Sequence, residues 1–246
     1  MDPVFLKLGP ITIYWYGFMM AVAVSVGLTL LIRQAAKQGY DKDTFLDLGI
    51  LVVVSGIIGS RILYVLLNIK LFIDQPLEIF MVHHGGLAVL GAFFVAPVAA
   101  LIFVKKKNVS FLNAADLIMP FIALGHALGR IGCFLNGCCQ GIVCIYGVFS
   151  PVHNQVLIPT QLISSLALLI LFIILRTKQD KPHIEGSIFL SYIIYYSAFR
   201  FCIEFLRGDS PGFFLNLTIF QYICIVSFLL GLAFKLRLKW KNKTSK

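Results

Sequence analysis

Charge is what this chain has least of. Asp, Glu, Lys and Arg make up 13% of its 246 residues, against 59% hydrophobic. So thin a polar complement cannot cover the surface of a water-soluble domain of this size, which excludes most soluble enzymes. Acidic residues are the scarcer sign, 11 against 21 Lys and Arg, for a formal net charge of +10. In another chain that excess would suggest nucleic acid. Here the basic residues lie mainly between apolar runs, where they orient a chain in a bilayer, and no nucleic-acid partner is expected. Also missing are the alternating polarity of barrel strands, a convincing internal repeat, a polar linker and a low-complexity tract. The chain therefore reads as a single membrane domain over 1–246. The residues before the first run make a weak n-region, and that run is too long for a signal-peptide core, so it is expected to stay attached.

What is present is a series of apolar runs near 20 residues, each enough to cross a ~30 Å hydrocarbon layer as a helix. Seven are expected, at about 11–32, 46–67, 86–104, 111–131, 159–175, 186–205 and 217–234. The fold class is all-α, a polytopic integral membrane protein. Between the runs, Lys and Arg alternate in density: fifteen fall on one side (Arg33, Lys37 and Lys42; Lys105 to Lys107; Arg176, Lys178 and Lys181; six in the tail) and three on the other (Lys7, Lys70, Arg207). The positive-inside rule then puts the N-terminus outside and the C-terminus in the cytoplasm. Lys105 to Lys107 read as an anchor at anionic headgroups.

Three arginines remain inside runs: Arg61, Arg130 and Arg200. Each costs about 2.5–3.5 kcal/mol at a helix centre on insertion scales, so each must snorkel, pair or bind an anion. The expected topology puts all three in the outer half, at the level of Tyr16, His83, His84, Gln161, Glu204 and Arg207. Glu204 lies four residues after Arg200 and Arg207 three after Glu204, which shares one helical side. Internal ion pairing is the plain reading of any one of them. Taken together, they carry more positive charge than Glu204 neutralises, and an outer-leaflet phospholipid phosphate is the available anion. Asp116 falls near the cytoplasmic start of its run, where a first-turn or interhelical structural role is expected. His126, one turn before Arg130, either lines the site or satisfies a neighbouring carbonyl.

The densest stretch is Gly125 to Gly141, GHALGRIGCFLNGCCQG. Gly125 and Gly129 suit close helix approach, while Gly132, Gly137 and Gly141 punctuate an outer loop where backbone can near a polar headgroup. Cys133, Cys138, Cys139 and Cys144 cluster on that outer face. Apolar packing, a disulfide, and metal or redox work all remain open for them, with packing foremost. Cys202 and Cys224 read as helix-packing residues.

At these residues the chain resembles the prolipoprotein diacylglyceryl transferase family. The opening Gly9-Pro10 to Tyr14-Trp15-Tyr16-Gly17, Gly59 to Ile62, and HGGL at His84 to Leu87 carry part of the likeness. More specific are DLIMPFIALGHALGRIG (Asp116 to Gly132), FLNG (Phe134 to Gly137), Gly141, PTQL (Pro159 to Leu162) and FRFCIEFLRGD (Phe199 to Asp209), in the family order. The resemblance covers most of the chain and implies seven spans with the N-terminus outside. It implies an enzyme that moves the diacylglyceryl group of phosphatidylglycerol to the lipobox cysteine of a preprolipoprotein, releasing glycerol phosphate. The setting would be the bacterial inner membrane, with the active site toward the outer leaflet. His84 would serve as base, with Arg130 and Arg200 as countercharge to the leaving phosphate; these three are the expected catalytic residues. Tyr16, Asn136, Gly141, Glu204 and Arg207 match family positions and, with Arg61, Gln161 and Arg130, make the expected substrate-binding set. No cofactor and no metal is called for. The chain departs from the common signature at Cys133 (usually Asn), Cys138 (usually acidic), Ile163 (usually Tyr) and Ser164 (usually acidic). The departures mark either a Cys-rich subgroup that keeps the activity or a paralogue, such as a headgroup transferase with another acceptor. A non-catalytic lipid-binding protein would share the arginines, whereas a transporter should show repeats or matched broken helices.

Overall fold

The computed structural model describes residues 3–9, 11–73, 75–81, 85–208, 212 and 214–244. It is mostly helical. In chain order it runs β1 (Val4–Leu8), β2 (Ile11–Tyr14), α1 (Trp15–Lys37), α2 (Lys42–Leu67), α3 (Ile69–Ile73), a 3₁₀ turn (Pro76–Phe80), α4 (Leu90–Lys106), α5 (Phe111–Leu135), β3 (Val143–Ser150), β4 (Gln155–Leu157), α6 (Thr160–Gln179), α7 (Ser187–Glu204) and α8 (Ile219–Thr244). Each apolar run of the sequence corresponds to one long helix. Five of these, α1, α2, α5, α6 and α8, are long and apolar enough to cross a membrane. At 1.5 Å per residue, the 17 residues of α4 and 18 of α7 reach only about 26 and 27 Å. Many large apolar side chains face outward, such as Leu67, Phe94 and Leu166, while Arg61, Asp116, Arg200 and Glu204 are buried. That inversion suits a lipid solvent.

The all-α expectation needs two additions. The first run was expected to be helical from about residue 11, but Ile11–Tyr14 pairs antiparallel with Val4–Leu8 across a turn where Gly9 takes φ 59°. Three β-branched residues and an aromatic within Ile-Thr-Ile-Tyr favour the extended form. In the loop between α5 and α6, Val143–Ser150 pairs antiparallel with Gln155–Leu157. Its Val, Ile, Tyr and Phe favour a strand for the same reason, and this pair of strands was not expected from the sequence.

The chain divides into two compact units, Leu31–Ala114 and Met1–Leu30 with Ala115–Lys246. In the former, Asp41 caps α2 by accepting from the Thr44 amide at 3.0 Å and its hydroxyl at 2.6 Å. α2 and α4 cross at Gly59 and Gly91. A Cβ on Gly59 would stand 2.6 Å from the Gly91 carbonyl oxygen, so the crossing requires glycine.

In the other unit, Ala123 and Ala127 of α5 pack with Leu168, Leu171 and Leu175 of α6 and Ile188 and Tyr192 of α7. Polar bonds close one end of this packing. Asp116, 2% exposed, accepts from the α7 amides of Gly186 (2.7 Å), Ile188 (3.0 Å) and Phe189 (2.7 Å), and stands 3.5 Å from His183. Gln179 at the end of α6 donates to the Asp116 and Leu117 carbonyls, each at 3.0 Å. The carboxylate thus satisfies three amides that a helix N-terminus leaves unpaired and complements its dipole. This is the interhelical role expected of Asp116.

Candidate functional site

The opposite end of α5 and α7 carries the charged residues. On α7, the Arg200 guanidinium lies 2.6 Å from the Glu204 carboxylate, and Arg207 lies 3.9 Å from it. The i, i+4 and i, i+3 spacing read from sequence therefore does bring these three side chains together. Glu204 also accepts from the Thr218 hydroxyl at 3.1 Å, and Arg200 lies over the Phe220 ring, 5.5 Å from its centroid. Both contacts come from the start of α8. Arg130, from the last turns of α5, lies within electrostatic reach of Tyr196 and Arg200. The His126 ring packs 5.3 Å from that of Tyr196, which stacks on Tyr192 at 5.6 Å. Both arginines act on His126 and Tyr196. Among the described residues of this cluster, Glu204 meets two guanidiniums, and that of Arg130 lies within electrostatic reach of one of them, Arg200.

The loop after α5 lies against the same cluster. Gly137 turns it with φ 71° and Cys139 follows with φ 62°. The start of α6 pins it: Thr160 donates to the Cys139 carbonyl at 2.8 Å, and the buried Gln161 amide to the Cys138 carbonyl at 2.6 Å. Gln161, expected to bind substrate, thus has its amide engaged in fixing the loop. Gly141 has a comparable task. Its backbone bridges to Arg207 on one side and donates to the Ile158 carbonyl at 2.9 Å on the other. A Cβ there would meet the Leu206 carbonyl oxygen at 2.7 Å and Ile158 Cβ at 2.8 Å, so glycine lets three segments pass and holds Arg207 beside the loop. Asn136 is half-buried, its backbone N–H donating to the Gly132 carbonyl at 2.9 Å.

Tyr16, on the first turn of α1, is 39% exposed and lies within electrostatic reach of Arg130, Cys133, Cys138 and Cys139. α1 comes close because Gly132 leaves room: a Cβ there would stand 3.0 Å from Met19 Cβ. The thiols of Cys133, Cys138 and Cys139 lie within 4.8 Å of one another. Hydrogen bonds from Cys133 and Cys138, with the charges of Arg207 and Arg130, hold the Cys139 thiol well below its ordinary range against the opposing effect of burial.

Two further residues were expected at the site. Arg61, 7% exposed, donates to the backbone carbonyls of Glu78, Ile79 (3.0 Å), Met81 (3.3 Å), Gly85 (2.6 Å) and Gly86 (2.9 Å). Its guanidinium, read from sequence as a headgroup ligand, is occupied by the segment that leads into α4. His84 lies outside the described residues. Sequence reasoning in turn passed over Tyr196 and Thr218. Tyr196 sits one turn before Arg200, a spacing that could have flagged it, whereas Thr218 reaches Glu204 across a loop and left no local signal.

Comparison with known proteins gives this arrangement its context. Residues 3–237 match the family described as prolipoprotein diacylglyceryl transferase. The chain belongs to that family. Among its relatives, the phosphatidylglycerol–prolipoprotein diacylglyceryl transferase of Clostridium tetani is 34% identical over 240 residues, covering 94% of this chain and 96% of the relative. The protein of the same name in Geobacillus kaustophilus is 36% identical over 245 residues, covering 95% and 91%. That of Shouchella clausii is 36% identical over 220 residues, covering 85% and 79%. Family membership makes the chain a transferase, and its motifs fall on the arginine cluster and the loop that packs against it.

Proposed function

We propose that the chain transfers the diacylglyceryl group of phosphatidylglycerol to the lipobox cysteine of a preprolipoprotein. The observation that carries this reading is the cluster at the ends of α5 and α7, where Arg200 and Arg207 flank Glu204 and Arg130 lies within electrostatic reach of Arg200. In the reaction, the acceptor thiolate forms a carbon–sulfur bond at the glyceryl carbon. The carbon–oxygen bond to phosphate breaks, and the electron pair leaves with glycerol phosphate. The thiol proton passes to a base, for which His84 is our assignment. A phosphodiester with one negative charge becomes a monoester with nearly two, so charge on the phosphate grows toward the transition state. Guanidiniums held in place before reaction stabilise that growing charge more than the ground state, which is what catalysis requires.

Other features support the same reading. A groove of about 190 Å³ between α6 and α7 is lined by Leu171, Ile174, Tyr195, Tyr196 and Phe199, and it brings apolar surface to Tyr196, which lies within electrostatic reach of Arg130. An acyl chain there would place its headgroup beside the arginines. Arg200 and Arg130 meet the phosphate, while Glu204 holds Arg200 and Arg207 in register. Gly141 and Gln161 shape the loop, and Tyr16 and Asn136 border the headgroup. Arg61 acts by fixing the segment that precedes α4.

Seven spans, with the N-terminus outside and the C-terminus cytoplasmic, complete the proposal. That orientation turns the cluster toward the outer leaflet of the bacterial inner membrane, where lipobox peptides emerge. Purified protein incubated with phosphatidylglycerol and a lipobox peptide should yield a thioether-linked diacylglyceryl peptide and glycerol phosphate by mass spectrometry. Phosphatidylglycerol binding without product would favour a lipid-binding protein, and headgroup turnover without peptide modification would favour a different acceptor.

A further inference from the structure

We infer that Cys133, Cys138 and Cys139 form a binding site for a thiophilic metal ion such as Zn²⁺, a site that does not depend on the transferase reading. The three thiols are free, and each lies within 4.8 Å of the other two. Thiolates bound to one Zn²⁺ at ~2.3 Å stand about 3.8 Å apart at the tetrahedral angle, so the sulfurs need draw together by about 1 Å at most. A disulfide would account for two of these residues and leave the third beside it; mutual convergence of all three is what a metal ion uses.

The backbone is built to hold them there. Cys133 sits in the last turn of α5. The Cys138 amide folds back onto its carbonyl at 3.1 Å, and the Cys138 thiol lies 3.6 Å from the same oxygen. Two adjacent cysteines in extended backbone point to opposite sides. The positive φ of 62° at Cys139 breaks that alternation and lets both sulfurs meet Cys133. Thr160 and Gln161, bonded to the Cys139 and Cys138 carbonyls, then fix the turn from outside. This is the outer-shell support that metal sites use to orient their ligands.

Charge and chemistry agree. Three thiolates around Zn²⁺ carry a net charge of −1, and Arg130 and Arg207 both lie within electrostatic reach of Cys139. An all-sulfur set selects thiophilic ions over Mg²⁺ or Ca²⁺. Three protein ligands leave a fourth tetrahedral position for water or an exogenous ligand, the pattern of open rather than closed zinc sites.

The test uses the full chain, purified in detergent under reducing conditions, stripped with chelator and titrated with Zn²⁺. Metal content is read by elemental analysis, and Cd²⁺ serves as a second probe through thiolate-to-metal charge-transfer absorption. One ion per chain is expected. Cys133→Ser, Cys138→Ser and Cys139→Ser should each weaken binding by more than the roughly 10- to 100-fold lost with an outer-shell partner. Cys202→Ser and Cys224→Ser should leave it unchanged, and the thermal transition of each variant shows that the fold survives. Three results would overturn the site: no stoichiometric Zn²⁺ on the wild-type protein, equal binding by the triple Cys→Ser variant, or a thiol count in the freshly purified protein two short of the sequence.

Discussion

Replacing Asp116 by Asn tests whether the polar lock between α5 and α7 carries stability alone. One carboxylate oxygen accepts from the Ile188 and Phe189 amides; the other accepts from Gly186 and faces His183. Asn keeps one acceptor and turns an NH₂ group toward either Gly186 or the Ile188–Phe189 pair. At least one charge-assisted bond is lost, worth about 1.5–3 kcal/mol, and a buried donor is left facing another donor. Burying the carboxylate is itself costly, so removing its charge returns part of that loss. The net is about 2–3 kcal/mol, which at 2–4 °C per kcal/mol lowers the thermal midpoint by roughly 4–12 °C. Thermal unfolding in detergent, followed by reaction of a thiol-specific dye with the buried Cys224, measures it. At a temperature where the variant is folded, its transfer rate should stay near that of wild type, because Asp116 lies at the end of α5 away from Arg130. An unshifted midpoint, or a folded variant that is inactive, would refute the reasoning.

Gly59→Ala should cost about 1–3 kcal/mol by forcing α2 from α4, whereas Gly17→Ala, where a Cβ meets nothing within 4 Å, should leave the thermal midpoint unchanged. Arg61→Lys replaces a five-donor fork by three donors and strands buried carbonyls, a loss of about 2–3 kcal/mol that should appear as faster proteolysis between residues 75 and 88 before any change in α2. At the start of α2, the Thr44 hydroxyl and amide hold the Asp41 carboxyl below the usual carboxylate range. The capping contribution is therefore full above the unfolded value of about 4 and is lost as pH falls through the lower folded value. Amide exchange at residues 43–45 should accelerate across that acid window in wild type and show no such step in Asp41→Ala.

The long helices were legible because an apolar run of bilayer length has few other solutions, and their ends agree with the runs to within about five residues, except that α8 continues about ten residues past its run. The β1–β2 hairpin was not, since Ile11–Tyr14 is as apolar as the helix it feeds and merges with it in any hydropathy reading. β3 and β4 were hidden by the glycines and cysteines around them. The α7 charge cluster could be read from i, i+4 and i, i+3 spacing alone, and Asp116 from its position near a helix start. Arg61 shows the limit of such reading. A buried arginine announces that it needs partners, but not that they are backbone carbonyls 17 to 25 residues away. Convergence of Cys133 with Cys138 and Cys139 depended on the sign of one backbone angle, which the order of residues does not reveal.

The central claim is that Arg130 meets charge as it develops on the departing phosphate. Steady-state transfer by Arg130→Gln, with phosphatidylglycerol varied and lipobox peptide saturating, tests it most directly. The account predicts that kcat falls by about 10²–10³-fold, the size of effect seen when one preorganised oxyanion donor is removed, while KM for the lipid changes far less. A variant that turns over near the wild-type kcat and loses only lipid affinity would contradict it.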